Sequence, residues 1–446
     1  ILIDLSLCNI NNTDIPKDSF LKNTDFKLDI SLRQYIIARI ILSKNTTFNK
    51  SLFIAIYKNT PLIYSLPITY INFLSSKGIK VDKFKSLILW RFVLLLEFTQ
   101  SVINSVSYII ENFFYLFSKR FSYGDNNRKI DAYFLGLTKD KIPSSFQSDA
   151  PYDCFTYFVK KYKSGVSAFF AHDIEIKERK LNNQITLKFQ KYPFRFLTKS
   201  ISLLNLISFL LKEIISAPFY LFSKKWWRLF VLKDLFFAKA CYLQADKKLA
   251  KSYLFHNSFI YRPIWSYVAN KKGSEIIFYF YSINNETFLR KDGYSTSPNY
   301  VWQNMNWPKY LFWNEYSKNY YTQFCRKPFI SEISGPINLN HIRLDKNLLF
   351  REPSISIFDV MPIRVSSYRS LASPFEYYIP EVAISFLRDI LLVCEENDIK
   401  LLLKNKYSYN RNKPIYHHPK YINFLLKLSQ HNNVIVIKPN TSPVDL

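Results

Sequence analysis

The sequence predicts an α/β fold in which helices cover parallel sheets, and three observations carry that expectation. From Ser252 onward, short apolar runs alternate with amphipathic helical stretches, Pro opens several of the helices, and polar clusters recur where the apolar runs end. With 446 residues, 48% hydrophobic and 18% aromatic, the chain has material for two or three packed domains and little reason to be disordered.

Taken in order, LDISLRQYIIARIIL (28–42) spaces apolar side chains as a helix does, and 86–118 continues with two long apolar helical patterns joined around Glu97. Arg91, Glu97 and Glu111 interrupt the second stretch, and Lys212 and Glu213 interrupt 200–223. Neither is therefore expected to span a membrane, which takes ~20 mostly apolar residues. FYLFSKKWWRLFVLK (219–233) interleaves Lys and Arg with Trp226, Trp227 and Phe. It reads as a helix lying among lipid headgroups, or as a core helix with snorkelling basic ends. IDAYFLGL (130–137) and SGVSAFFAHD (164–173) read as strands, giving a mixed α/β N-terminal half with helical insertions.

The pattern then sharpens. SYLFHNSF (252–259), the helix IWSYVANKK entered at Pro263 and closed by Gly273, and the strand SEIIFYFY (274–281) form a βαβ unit. A second unit joins SISIFDV (354–360), a helix from Pro380 and KLLLK (400–404); a third adds a helix over 419–430 and NVIVI (433–437). In the helix from Pro380, Ala383, Phe386, Leu387, Ile390, Leu391 and Cys394 share one face. The expected domains are a mixed α/β domain with amphipathic helical insertions over 1–245, a βαβ segment completing or bridging it over 246–345, and an incomplete Rossmann-like domain over 346–446.

Ligands of open parallel sheets bind beyond the carboxyl ends of the strands. There the sequence places His256 and Asn257, with Arg262 at the next helix start, offering imidazole, amide and guanidinium groups to an anion; the alternative is that His256 and Asn257 satisfy the loop backbone. Tyr281, Ser282, Asn284 and Asn285 form a neutral set suited to sugar hydroxyls. Asp359 ends its strand and is followed by Arg364 within the long loop 361–378, which also carries Glu376. Asp359 and Glu376 are the candidates for base, nucleophile or charge stabiliser at an anomeric centre, against the alternative of an Asp359–Arg364 ion pair fixing the loop. Lys404, Lys406 and the His417-His418-Pro419 run offer two ammonium groups, an imidazole and a helix N-terminus to a phosphate; solvated lysines and a proline helix start are the plainer alternative.

Other classes are excluded by what is missing. Seven glycines leave no GxGxxG or Walker loop, and neither HExxH nor GxSxG occurs. Cys8, Cys154, Cys241, Cys325 and Cys394 show no metal-ligand spacing and read as reduced thiols, so neither metal nor cofactor is expected. The net charge of +27 favours anionic partners such as a membrane surface or nucleotide phosphates. Part of it follows from a composition rich in Lys, Asn, Ile, Phe and Tyr, and without a nucleic-acid reader motif no nucleic-acid partner is expected. The chain opens at Ile1 with no basic-then-apolar leader and stops shortly after NVIVI, where an α/β domain would continue, so a fragment is expected.

The series YLFHNSFIYRPIW (253–265), IIFYFYSINNE (276–286), WPKYLFWNEY (307–316), SGPI (334–337), IFDVMPIRVSSY (357–368) and FEYYIPE (375–381) resembles bacterial surface-carbohydrate biosynthesis proteins of O-antigen, lipopolysaccharide or capsule type, specifically GT-B-like glycosyltransferases. The resemblance covers roughly 250–446. It implies two Rossmann-like domains, a nucleotide sugar bound mainly by the C-terminal one, a lipid-linked glycan acceptor, and metal-independent transfer at the inner face of the cell membrane. His418-Pro419 also looks like the HP pair of Kdo- and sialic-acid-type transferases, where the histidine contacts a CMP phosphate; here YSYNRNKPIYH separates it from Lys404-Asn405-Lys406. The family places a further polar motif after the last strand, which this chain is expected to stop short of. Transfer of another phosphate-linked group, and a non-catalytic membrane-peripheral role in polysaccharide assembly, are the alternatives.

Overall fold

A computed structural model describes residues 81–119, 129–136, 168–173, 179–181, 185–223, 225–256, 262–280, 305–323, 328–335, 353–359, 380–405 and 418–437, with single positions beside them. These fall into two compact units, one holding the described residues up to His341 and the other those beyond it. The expected helix at 28–42 lies outside the described residues.

Helix α1 (Lys83–Lys119) runs unbroken through Glu97, where the sequence predicts a junction. It contains neither Gly nor Pro, and Asp82 caps its start by accepting the Lys85 amide at 2.9 Å. Strands β1 (Ala132–Leu135), β2 (Ala168–His172), β3 (Arg179–Leu181) and β4 (Ile185–Phe189) follow. The stretch 219–233 is not one helix. Helix α2 (Ser200–Phe222) stops at Ser223, whose hydroxyl accepts the Lys225 amide at 3.1 Å, and the chain resumes as α3 (Trp227–Phe230) and α4 (Leu232–Leu243). Trp227 is 4% exposed and belongs to the core, so it does not present the Trp-Lys surface that a headgroup helix requires.

Then come β5 (Ser252–His256), α5 (Ile264–Lys271), β6 (Glu275–Tyr279), β7 (Lys309–Phe312), α6 (Glu315–Thr322) and β8 (Ile330–Ile333). Pro263 caps α5, and Gly273 turns the chain into β6 with φ 85°, a value that disfavours a β-carbon. Among the described residues, eight strands form one sheet in the order β3-β4-β2-β1-β5-β6-β7-β8, parallel throughout except for β3 on β4. One face (Tyr133, Tyr253, Phe255, Phe278, Tyr310) packs with α4, α5 and α6 through an aromatic core. Its centre is Trp307, with ring centroids 4.5 Å from Phe255 and 5.2 Å from Phe278. Tyr321 of α6 donates to the Tyr310 hydroxyl at 2.6 Å, which accepts the Trp307 amide at 3.0 Å. The opposite face, including Phe134, Leu254, Ile277 and Leu311, is just as buried.

The second unit is β9 (Ser354–Asp359), α7 (Pro380–Glu396), β10 (Lys400–Asn405), α8 (Pro419–Leu428) and β11 (Val434–Ile437). Its three described strands are parallel with β10 central. Both helices pack on Leu401, Leu403, Ile355 and Ile357. Ala383, Leu387 and Cys394 of α7 are buried as the periodicity predicts, whereas Phe386 is half exposed at that stripe's edge. The architecture is α/β with two parallel sheets, as the alternating pattern predicts.

Two of the charges that interrupt the apolar helices are paired, while Glu97 and Lys212 are exposed. Glu213, 1% exposed, accepts the Arg228 Nε at 3.1 Å and a second guanidinium N–H, tying α2 to α3. Glu111 pairs with Lys191. By length and composition alone α1 and α2 are long and apolar enough to cross a membrane, where the sequence reading expects neither to do so. Glu213→Ala removes the buried carboxylate that meets the Arg228 guanidinium and is expected to cost about 3–5 kcal/mol of stability. Urea unfolding checks this, and a loss below about 1 kcal/mol would show the pair to be solvated instead.

Candidate functional site

At the carboxyl edge of the three-stranded sheet, β9 and β10 end together, because Asp359 and Asn405 are register partners. Asp359, 8% exposed, accepts a hydrogen bond from the hydroxyl of Tyr421, which is fully buried in the first turns of α8. That bond ties the start of α8 to the end of β9. His418 is the N-cap of α8 without capping it through its side chain, and Pro419 opens the helix at a position whose N–H would be unused. Asn405 Oδ1 and His418 Nδ1 are buried here without a hydrogen-bond partner. Buried polar atoms are seldom left so, and the pair offers an acceptor for a hydroxyl and a ring nitrogen able to donate to a phosphate oxygen.

Lys404 is 9% exposed and lies in β10 beside Asn405. Side chains alternate along a strand, so Lys404 points to the face opposite Asp359, Asn405 and the helices. The pleat therefore separates it from His418, with which the sequence groups it. Lys406, Arg364 and Glu376 lie outside the described residues.

In the eight-stranded sheet the chain leaves β1 towards β2 and β4, but leaves β5 towards β6, β7 and β8. The reversal places a crevice between the carboxyl ends of β1 and β5. Gly136 follows β1 with φ 79°, and its amide is 3.4 Å from Asp173 Oδ2, just beyond β2. Desolvation raises the Asp173 pKa above the ordinary aspartate value, against the pull of that amide. His256 ends β5; its side chain, and Asn257, Tyr281, Ser282, Asn284 and Asn285, lie outside the described residues.

Arg262 is 6% exposed, donates from Nε to Ser266 Oγ at 3.1 Å and from Nη1 to the Asn306 carbonyl at 3.2 Å, and stacks 3.7 Å over the Tyr267 ring. No carboxylate pairs with it among the described residues, and burial lowers its pKa. A buried guanidinium held by neutral groups keeps a net positive charge to offer an anion.

A family model described as "Polysaccharide biosynthesis PFTS motif protein" matches residues 208–446, more than half of the chain. The chain belongs to this PFTS motif family. It is thus a polysaccharide biosynthesis protein, as the resemblance implies at that level. No curated protein matches it. The matched span holds Arg262, Asp359, Asn405, His418 and Tyr421, and leaves β1 to β4 and Asp173 outside.

Three features of this PFTS family member escape the sequence reading. Asp173 and Asn405 end strands as His256 and Asp359 do, and the same rule applied to SGVSAFFAHD and KLLLKN finds them. Tyr421 carries no such signal, since only the docking of α8 brings it to Asp359. Directly behind β11, Pro439-Asn440-Thr441-Ser442 shares three letters with the motif in the family name, where the chain was expected to stop short of a polar motif. This run lies outside the described residues. Tyr421→Phe keeps the ring and deletes the donor to Asp359, so a loss of about 1 kcal/mol in urea unfolding is expected. An unchanged midpoint would mean that the bond contributes nothing net.

Proposed function

We propose that this polysaccharide biosynthesis protein is a metal-independent GT-B-like glycosyltransferase. It moves a sugar from a nucleotide donor, such as a CMP-linked one, to a lipid-linked surface-polysaccharide acceptor at the inner face of the cell membrane. The observation that carries the reading is the meeting of Asp359, Asn405, Tyr421 and His418 at one sheet edge, two of them with a buried atom still to be matched.

In this reading His418 and the N-terminus of α8 receive the donor phosphate, where a developing negative charge meets a ring N–H and the helix dipole. Asn405 Oδ1 accepts from a sugar or ribose hydroxyl. Asp359, held by Tyr421, takes the proton of the acceptor hydroxyl or shields the anomeric centre; Glu376 is the other carboxylate candidate. Lys406 and Arg364 are further candidates for the phosphate, whereas Lys404 lies on the other face of the strand. The eight-stranded unit takes the acceptor, with Arg262 matched to its anionic group and His256, Asn257, Tyr281, Ser282 and Asn284 to its hydroxyls. The second reading, a non-catalytic membrane-peripheral protein of polysaccharide assembly, is favoured by the apolar outer side of α1 and α2.

A panel of nucleotide sugars, read by thermal shift and by release of free nucleotide, separates the two. The transferase reading expects one donor to raise the melting temperature and His418→Ala to lower turnover by about 10²–10³-fold. If no donor binds the full chain, or if Asp359→Asn and His418→Ala both turn over as the parent does, that reading fails and the assembly role remains.

A further inference from the structure

Helix α1 is apolar on both sides. Its inner line, Trp90, Leu94, Tyr108 and their neighbours at i+3 and i+4, packs on the first unit, while Phe92, Leu96, Ile103, Ile110 and Phe117 on the opposite side are each about half exposed. A helix at a protein–water boundary carries polar residues on that outer side. Glu97 is the one charged residue among the exposed positions from Ile88 to Phe117. By helical spacing it lies on the side of Trp90 and Ser101 rather than with Phe92, Leu96, Ile103 and Ile110, so it is exposed but leaves the outer strip uncharged. That strip runs for about 45 Å at 1.5 Å per residue. Helix α2 packs beside α1, where Arg91 lies 4.7 Å over the Phe222 ring, and extends the apolar surface. Its own outer side carries Leu204, Leu211 and Ile215 around an open groove of ≈ 430 Å³ bordered by Lys212, and Phe219 is exposed one turn further on.

We propose that the outer sides of α1 and α2 seat in one leaflet of an anionic bilayer, with both helices lying along the membrane plane. Three features select lipid over a protein partner. A protein interface of such length needs a hydrogen bond per ~100–200 Å², and this strip offers scarcely a polar group to make one, whereas hydrocarbon requires none. Of the three acids in the two helices, Glu213 is buried against Arg228 and Glu111 pairs with Lys191, while Glu97 is exposed but off the outer strip. The lysines Lys83, Lys85, Lys199, Lys212 and Lys225 stay exposed around the apolar surface, where anionic headgroups would lie. The helices do not cross the bilayer, because the buried line of α1 from Trp90 to Asn112 is taken up by the protein and leaves no full turn surrounded by lipid. The proposal rests on the membrane side of the reading above and not on its transfer chemistry.

Flotation of the full chain with phosphatidylcholine vesicles, with and without phosphatidylglycerol and with no nucleotide present, tests it. The parent chain is expected to float, more strongly with the anionic lipid. The triple variant Leu96→Gln, Ile103→Gln, Ile110→Gln is expected to bind at least about 10-fold more weakly. Circular dichroism checks that the triple variant keeps its helices, and Leu211→Gln with Ile215→Gln probes the same surface from α2 should it misfold. A parent chain that stays with the soluble fraction, variants that float equally well, or a dimer lost in the triple variant without vesicle binding each overturns the proposal. Because no donor is involved, a failed transfer assay leaves this result untouched, and failed flotation leaves the transfer chemistry standing.

Discussion

The first unit is organised by the need to bury both faces of a parallel sheet. Parallel strands joined by crossovers have no solvated side, and β1, β6 and β7 are accordingly apolar at nearly every position. The chain meets that demand with aromatic residues. Tyr133, Tyr253, Phe255, Phe278 and Tyr310 project to one face, and rings from α4, α5 and the Trp307 segment fill the space above them. Large flat side chains carry polar atoms with them, and the hydroxyl chain from Tyr321 through Tyr310 to the Trp307 amide satisfies two of these phenols.

The same constraint fixes where chemistry can occur. Once both faces are covered, polar side chains are left with the strand ends, and the carboxyl edges gather them in both units. In the eight-stranded sheet the strand order opens a crevice beside Gly136 and Asp173, with Arg262 at the start of α5. In the three-stranded sheet, where no reversal occurs among the described strands, the gathering depends on α8, whose first turns bring His418 and Tyr421 to the ends of β9 and β10. The span that shows membership of a polysaccharide biosynthesis family holds Arg262 and the whole three-stranded sheet.

Burial also explains the helices that have no sheet to cover on their outer side. Glu213 is tolerated within an apolar helix because Arg228 reaches it from the next one. The one acid within α2 is thereby taken off its outer surface, while Lys212 stays at the border of the apolar side. What remains outside is apolar, and the surface that faces lipid in our proposal is the side left over after the protein has used the other.

Periodicity and punctuation alone determine the alternation of strands and helices after Ser252, the parallel character of the sheets, the starts of α5, α7 and α8 at or beside proline, and the strand-end position of Asp359. These are local consequences of side-chain spacing and backbone restriction. The sequence is less informative where the partner is distant. It splits α1 at Glu97 because a lone acid in an apolar run looks disruptive, and it joins α2 to α3 because the turn at Ser223 lacks Gly or Pro. It places Lys404 beside His418, although strand alternation sends Lys404 to the other face. It has no signal for Tyr421 at Asp359, for the neutral cradle of Arg262, or for the pairing of Glu213 with Arg228. Each of these was decided by tertiary structure, because whether a charge or hydroxyl is stable in a given place depends on which distant group arrives to meet it.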